Sequence, residues 1–208
     1  MRPMFHTSAF VGLLLALLAG VLVTAPRGPE LPGSTVKILA GRGHGSAVHI
    51  GNGYYITATH VVGAETDVEV KTDDGLLSKA TVLWSNKVHD IALLRGPDDV
   101  QASELDCRVA SEGEAIHARG NPMDLEFIDA QGFVAGAERT IGPWESGLPV
   151  DMTIIMGMSG GPVFDADGDV VGIMVGVLVA PLGFGGSLTG LGTIVPASTV
   201  CSLLGRVL

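Results

Sequence analysis

Apolar and polar positions alternate in short runs through most of this 208-residue chain. Residues 67–72 (DVEVKT) show it most plainly, with the period of two expected of a strand buried on one face. Residues 35–40, 46–50, 54–58, 79–84 and 91–95 read as further strands, and Asp73-Asp74-Gly75 is a hairpin signal between two of them. A polar stretch, 97–104, separates this group from a second at 114–119, 127–138, 152–155, 162–164, 170–177 and 192–195. About six short strands, a linker and about six more predict an all-β fold of barrels or sandwiches rather than βα units. The tail changes period. Val200, Leu203, Leu204 and Val207 recur at helical spacing after Pro196, which predicts a short C-terminal helix with one apolar face. The start differs again: residues 9–25 carry no charge, Arg2 precedes them, and Arg27 and Glu30 follow. This predicts an N-terminal hydrophobic helix acting as a secretory signal or a membrane anchor, with a buried core helix as the lesser alternative. Pro26 would follow a cut after Ala25 and disfavours cleavage there. We therefore expect a single-pass anchor with the rest of the chain extracytoplasmic, or a secreted or periplasmic protein if the segment is cleaved. Residues 26–33, with three Pro and two Gly, read as a linker, so the chain divides into 1–33 and a domain at 34–208.

Composition narrows the class. Hydrophobic residues make up 47% and charged residues 16%, which excludes intrinsic disorder. Thirty glycines exclude a coiled coil and suit a fold rich in tight turns. A chain of this length buries enough surface to fold without metals or disulfides. Net charge is −10 with no basic patch, so we expect no nucleic-acid partner.

The sharpest chemical signal is Gly157-Met158-Ser159-Gly160-Gly161-Pro162. A serine among glycines lets the backbone turn tightly and bring N–H donors beside the hydroxyl, as an oxyanion hole requires. Gly157 and Ser159 would supply them; the bland alternative is a plain glycine-rich turn. The stretch also fits the nucleophile elbow of α/β-hydrolases, but that order needs a histidine after the serine, and all six histidines precede Ser159. The order Asp, His, Ser leaves only His89 and His117, neither in a suitable context. The order His, Asp, Ser stays open, and two segments fit it. In Ile56-Thr57-Ala58-Thr59-His60 an apolar strand ends and presents His60 at its edge. In His89-Asp90-Ile91-Ala92-Leu93-Leu94 an acid heads an apolar strand, where a buried carboxylate needs a partner such as an imidazole N–H.

Together these stretches resemble the trypsin-like, two-barrel serine proteases, and more closely their bacterial Deg/HtrA branch. GNP at 120–122, GFVAGAER at 132–139, Asp151, GPVFDADGDVVGI at 161–173 and LGTIVPAS at 191–198 add to the likeness, which covers residues 34–208. The resemblance implies two six-stranded antiparallel β-barrels, at about 34–100 and 108–196, with a terminal helix at about 197–207. It implies a serine endopeptidase acting on protein or peptide substrates through His60, Asp90 and Ser159, with no cofactor. It places Thr153 at the base of the primary specificity pocket and Val175, Gly176 and Val177 along its wall, so small or medium apolar side chains are expected at the cleavage position. Met158 stands where zymogen-activated members carry Asp, so no activation by a new N-terminus is expected. Members of the branch usually carry a PDZ domain after the protease; with the terminal helix at the end of this sequence, none is expected. Because the terminal helix packs near the inter-barrel linker in this fold, Cys107 and Cys201 either form a disulfide or remain buried free thiols. A Cys107–His117 nucleophile has no supporting motif. Asp165-Ala166-Asp167-Gly168-Asp169 lacks the EF-hand spacing and reads as a hairpin turn, and His44 and His49 lack companions for a metal site. The alternative functions are a silent binding protein on the same fold and an ester hydrolase.

Overall fold

The structure is a computed structural model that describes residues 31–123, 125–183 and 185–205. The apolar run at 9–25, most of its linker and the last turn expected of the terminal helix lie outside the described residues. Among the described residues no helix is long and apolar enough to cross a membrane.

Six antiparallel strands form the first barrel: β1 (Thr35–Ala40), β2 (Gly43–His49), β3 (Tyr54–Ala58), β4 (Asp67–Lys71), β5 (Leu77–Asn86) and β6 (Ile91–Arg95). They pair in the order β1-β2-β3-β6-β5-β4, and β4 returns to β1 to close the ring. The second half comprises β7 (Ala115–Gly120), β8 (Ile128–Val134), β9 (Arg139–Ile141), β10 (Trp144–Met152), β11 (Pro162–Phe164), β12 (Val170–Leu182) and β13 (Gly185–Pro196). The sheet order is β13-β12-β11-β7-β8-β10-β9, and a β10–β13 pairing closes six of these strands into a second barrel. A single helical turn, α1 (Thr59–Val62), follows β3, and α2 (Ala197–Leu204) ends the described chain. The fold is thus the expected pair of six-stranded antiparallel barrels with a short terminal helix.

Strands β12 and β13 run longer than the expected 170–177 and 192–195, and three further details differ from the sequence reading. Only a strand edge was expected at His60, whereas one turn of helix stands there. The short strand β9 was not expected. The strand placed at 152–155 instead runs from Trp144 to Met152. It contains Gly147 and Pro149, residues that argue against an interior strand when read locally; pairing with β8, β9 and β13 overrides that preference.

Alternation along the strands builds three apolar layers. Val36, Ile38, Tyr55, Val70, Ala92 and Leu94 fill barrel one. Ile116, Leu148, Val150, Val163, Met174 and Ile194 fill barrel two. The other faces of β3, β6 and β12 meet between the barrels, where Ile56, Leu93, Phe164, Ile173 and Val195 pack with Val200 and Leu203 of α2. That is why β6 reads as uniformly apolar: both its faces are buried. A disulfide joins Cys107 of the inter-barrel segment to Cys201 of α2, with Cα atoms 5.8 Å apart. Beside it Arg108 grips Glu114 through two hydrogen bonds of 2.8 and 2.7 Å and reaches Asp165 at 3.0 Å. The guanidinium holds the Glu114 carboxyl below the usual carboxylate range.

Candidate active site

Asp90 stands at the head of β6, 6% exposed, and in the left-handed region at φ 57. Its carbonyl accepts from Thr59 N at 3.0 Å, and its Oδ1 accepts from His60 N at 2.9 Å. The start of α1 is therefore tied to the head of β6 by main chain and side chain together. On that frame His60 Nδ1 lies 2.6 Å from Asp90 Oδ2. An ionised carboxylate only accepts, so Nδ1 carries a proton, and in the neutral ring Nε2 is the nitrogen with the lone pair. The His60 side chain is 48% exposed, so the second nitrogen remains accessible. A second donor, Trp144 Nε1, reaches Asp90 Oδ2 at 3.2 Å from the other barrel.

Ser159 lies on the loop between β10 and β11. Its carbonyl accepts from Ser46 N of β2 at 2.8 Å. Gly45, next to Ser46, has Val61 of α1 and the Ser159 carbonyl both within 3.1 Å of where a Cβ would stand, so α1 and Ser159 share one corner. Among the described residues no hydrogen bond joins the Ser159 hydroxyl to the His60 ring. The loop's backbone requires glycine at two places. At Gly157, φ 95, a Cβ would meet the Asn121 carbonyl at 2.2 Å; at Gly160, φ 83, it would meet the Ser46 carbonyl at 2.2 Å. The Met156 carbonyl accepts from Met123 N at 2.9 Å, which turns the Gly157 N–H to the opposite side of that trans peptide. The Met158 carbonyl accepts from Gly161 N at 3.0 Å, which directs the Ser159 N–H likewise. Among the described residues neither N–H is spent on an internal hydrogen bond. Met158 is buried in the core of barrel two and forms no ion pair.

A fully buried polar pair supports this loop, and the sequence reading missed it. Ser46 Oγ donates to the Gly157 carbonyl at 2.8 Å and accepts from Asn121 N and Nδ2, each at 3.0 Å. Asn121 Oδ1 accepts from Phe127 N at 3.1 Å. Ser46 and Asn121 are both 0% exposed. Asn121 was visible only as part of GNP; Ser46 gave no signal, being one hydroxyl in an apolar strand.

The expected specificity residues are divided between two clefts. Thr153 and Val177 line one of about 290 Å³ with Ile154, Ile155, Leu188 and Leu191. Val175 lines another, of about 550 Å³, with Thr59, His60, Lys87, Asp90 and Trp144. Gly176, between them, lies under the Trp144 ring. Among the described residues no group of His, Cys, Asp and Glu is arranged to hold a metal ion.

The sequence and the fold have counterparts among known proteins. Residues 45–173 match the family model described as "Trypsin-like peptidase domain". The periplasmic pH-dependent serine endoprotease DegQ of Escherichia coli K12 is 27% identical over 182 residues, 85% of this chain and 39% of its own. A probable periplasmic DegP-like serine endoprotease of Rhizobium meliloti is 32% identical over 178 residues, 83% of this chain and 34% of its own. The chain thus spans roughly two fifths of these relatives or less. Among solved structures, inactive Rv3671c of M. tuberculosis H37Rv is similar at a TM-score of 0.73 and 23% identity, covering 84% of this chain and 86% of that one. The HtrA-type protease AlgW with a tripeptide is similar at 0.75 and 24% identity, covering 85% and 60%. The family match covers more than half of the sequence, across both barrels and every loop described above: the chain belongs to the trypsin-like peptidase domain family.

Proposed function

We propose that the protein is a serine endopeptidase working through His60, Asp90 and Ser159. The observation that carries this reading is the 2.6 Å contact of His60 Nδ1 with a buried Asp90, on a helical turn whose Val61 and the Ser159 carbonyl both crowd Gly45. His60 Nε2 takes the hydroxyl proton as Ser159 Oγ bonds to the peptide carbonyl carbon. Asp90 holds the ring and stabilises the imidazolium. The N–H groups of Gly157 and Ser159 receive the negative charge that moves onto the carbonyl oxygen. His60 then protonates the leaving amine, and water, deprotonated by the same imidazole, releases the acyl group. The Ser159 hydroxyl closes on His60 when substrate fills the corner, in keeping with the looser hydrogen bonds of unliganded sites. The Thr153 cleft receives the side chain before the cut bond, and its lining favours small or medium apolar ones.

The site of action is extracytoplasmic. The Cys107–Cys201 disulfide suits an oxidising compartment, and the relatives named above are described as periplasmic. Export would use residues 9–25, retained as a membrane anchor or removed as a signal.

Labelling with a fluorophosphonate probe tests the reading. Wild type should label and Ser159→Ala should not. A wild type that stays unlabelled while folded would favour a silent binding protein on the same fold.

A further inference from the structure

Asp90 comes from barrel one and is satisfied from three directions. His60 N holds Oδ1, while His60 Nδ1 and Trp144 Nε1 converge on Oδ2. We propose that Trp144 is a positioning residue of the reaction: its indole N–H fixes the Asp90 carboxylate from across the barrel interface, so that Oδ2 stays aimed at His60. This rests on the endopeptidase reading above.

Two features of the chain bear on it independently. First, the donor is suited to the task. An indole N–H only donates and does not titrate, so it cannot compete for the imidazole proton. The 3.2 Å separation is within the ordinary N–H···O range, and the acceptor is an anion that is 6% exposed. Val175, which lines the same cleft, has no side-chain donor to offer. Second, the backbone makes room for the ring. A Cβ on Gly176 would stand 2.2 Å from Trp144 Cη2, so only glycine lets the indole lie against β12. Trp144 also packs against the apolar layer between the barrels, and as the first residue of β10 opposite Ile141 it is held by the β9–β10 hairpin. Without the indole, Oδ2 would keep one donor and only the two bonds from His60 would resist rotation of the carboxylate about its χ2.

The test combines labelling with NMR on the whole chain. Trp144→Phe keeps an aromatic plane and removes the N–H. Labelling of Ser159 by a small fluorophosphonate should slow about tenfold, the size expected for one hydrogen bond to a charged group. The downfield proton resonance of His60 Nδ1 should move in the same variant. In wild type the Trp144 indole proton, one of only two in the chain, should shift on Asp90→Asn while that of Trp84 stays. That last measurement decides the contact even if Trp144→Phe fails to fold. A labelled wild type whose Trp144→Phe variant reacts at an unchanged rate overturns the proposal. So does slower labelling with the His60 resonance unmoved, or an indole proton indifferent to Asp90→Asn. An unlabelled wild type refutes the endopeptidase reading itself, and the positioning role with it.

Discussion

Ser46→Ala isolates the support of the Ser159 loop without touching a reacting group. It removes one donation to the Gly157 carbonyl and two acceptances from Asn121, bonds of 2.8, 3.0 and 3.0 Å. Asn121 is 0% exposed, so water does not replace the lost partner. Asn121 Nδ2 keeps only a 3.4 Å contact with the Val36 carbonyl. Each buried polar group left without a partner costs about 1–3 kcal/mol. Allowing for relaxation, the total is about 3 kcal/mol, or about 6–12 °C in Tm for a chain of this size. The Gly157 peptide is also freed to turn. Deleting an oxyanion donor outright costs about 10²–10³ in rate, so loosening one should slow Ser159 labelling by about tenfold. Thermal unfolding by circular dichroism and labelling kinetics read the two effects. Ser202→Ala is the control: its hydroxyl binds only the Ser198 carbonyl on the exposed face of α2, and Tm should barely move. If Ser46→Ala matches that control in both measurements, the buried pair does not hold the loop.

Three further outcomes follow from single features. Reducing the Cys107–Cys201 bridge, which spans 94 residues, should lower stability by up to about 4–5 kcal/mol in chain-entropy terms; unfolding with and without reductant checks it, and identical midpoints would count against a structural role. Burial, then Asp99 and Asp98, push the Tyr55 phenol from its ordinary 10.0 up to about 12. Because the folded value lies above the unfolded one, this stability is present below pH 10.0 and is lost as pH rises through about 12; Tyr55→Phe should abolish that alkaline phase in phenolate titration. Thr153→Asp should convert the apolar cleft to one taking Arg or Lys before the cut bond, and a peptide library in which the apolar preference persists would remove Thr153 from the pocket.

Legibility tracked how local each cause is. Strands β1, β3, β6 and β11 stand where short apolar runs bounded by turn residues put them, because each such signal is local to the strand. Strand β10 was misplaced because Gly147 and Pro149 are tolerated only through pairing: Gly147 stands opposite Arg139 of β9, and Pro149 opposite Thr193 of β13, a strand distant in sequence. His60, Asp90 and Ser159 stood out because their neighbours are constrained: an apolar strand beginning just after Asp90, and glycines about Ser159 that backbone approach demands. Ser46, Asn121 and Trp144 act across the barrel interface, so nothing adjacent to them in sequence announced their contacts.

Those three residues share a consequence. Besides the His60–Asp90 bonds within barrel one, the hydrogen bonds about the site run between barrels: Ser46 to the Ser159 and Gly157 carbonyls, and Trp144 to Asp90. On the proposed endopeptidase reading, the apolar layer between the barrels bears on the geometry of the site as well as on stability, whereas a position deep inside barrel one such as Leu94 bears on stability alone. Adjacent residues of β6 separate the two effects. Leu93 and Leu94 are both leucines at 0% exposure, but Leu93 faces the layer between the barrels and Leu94 faces the interior of barrel one. Either substitution by alanine should cost about 2–5 kcal/mol, since each leaves a cavity of similar origin. Only Leu93→Ala lets the barrels shift against each other. A misplacement of about 1 Å at a reacting centre is worth about 10² in rate, so Leu93→Ala should slow Ser159 labelling far more than Leu94→Ala at temperatures where both are folded. Equal labelling rates for two equally destabilised variants would mean that the site is held within each barrel, and that the cross-barrel hydrogen bonds follow its geometry without setting it.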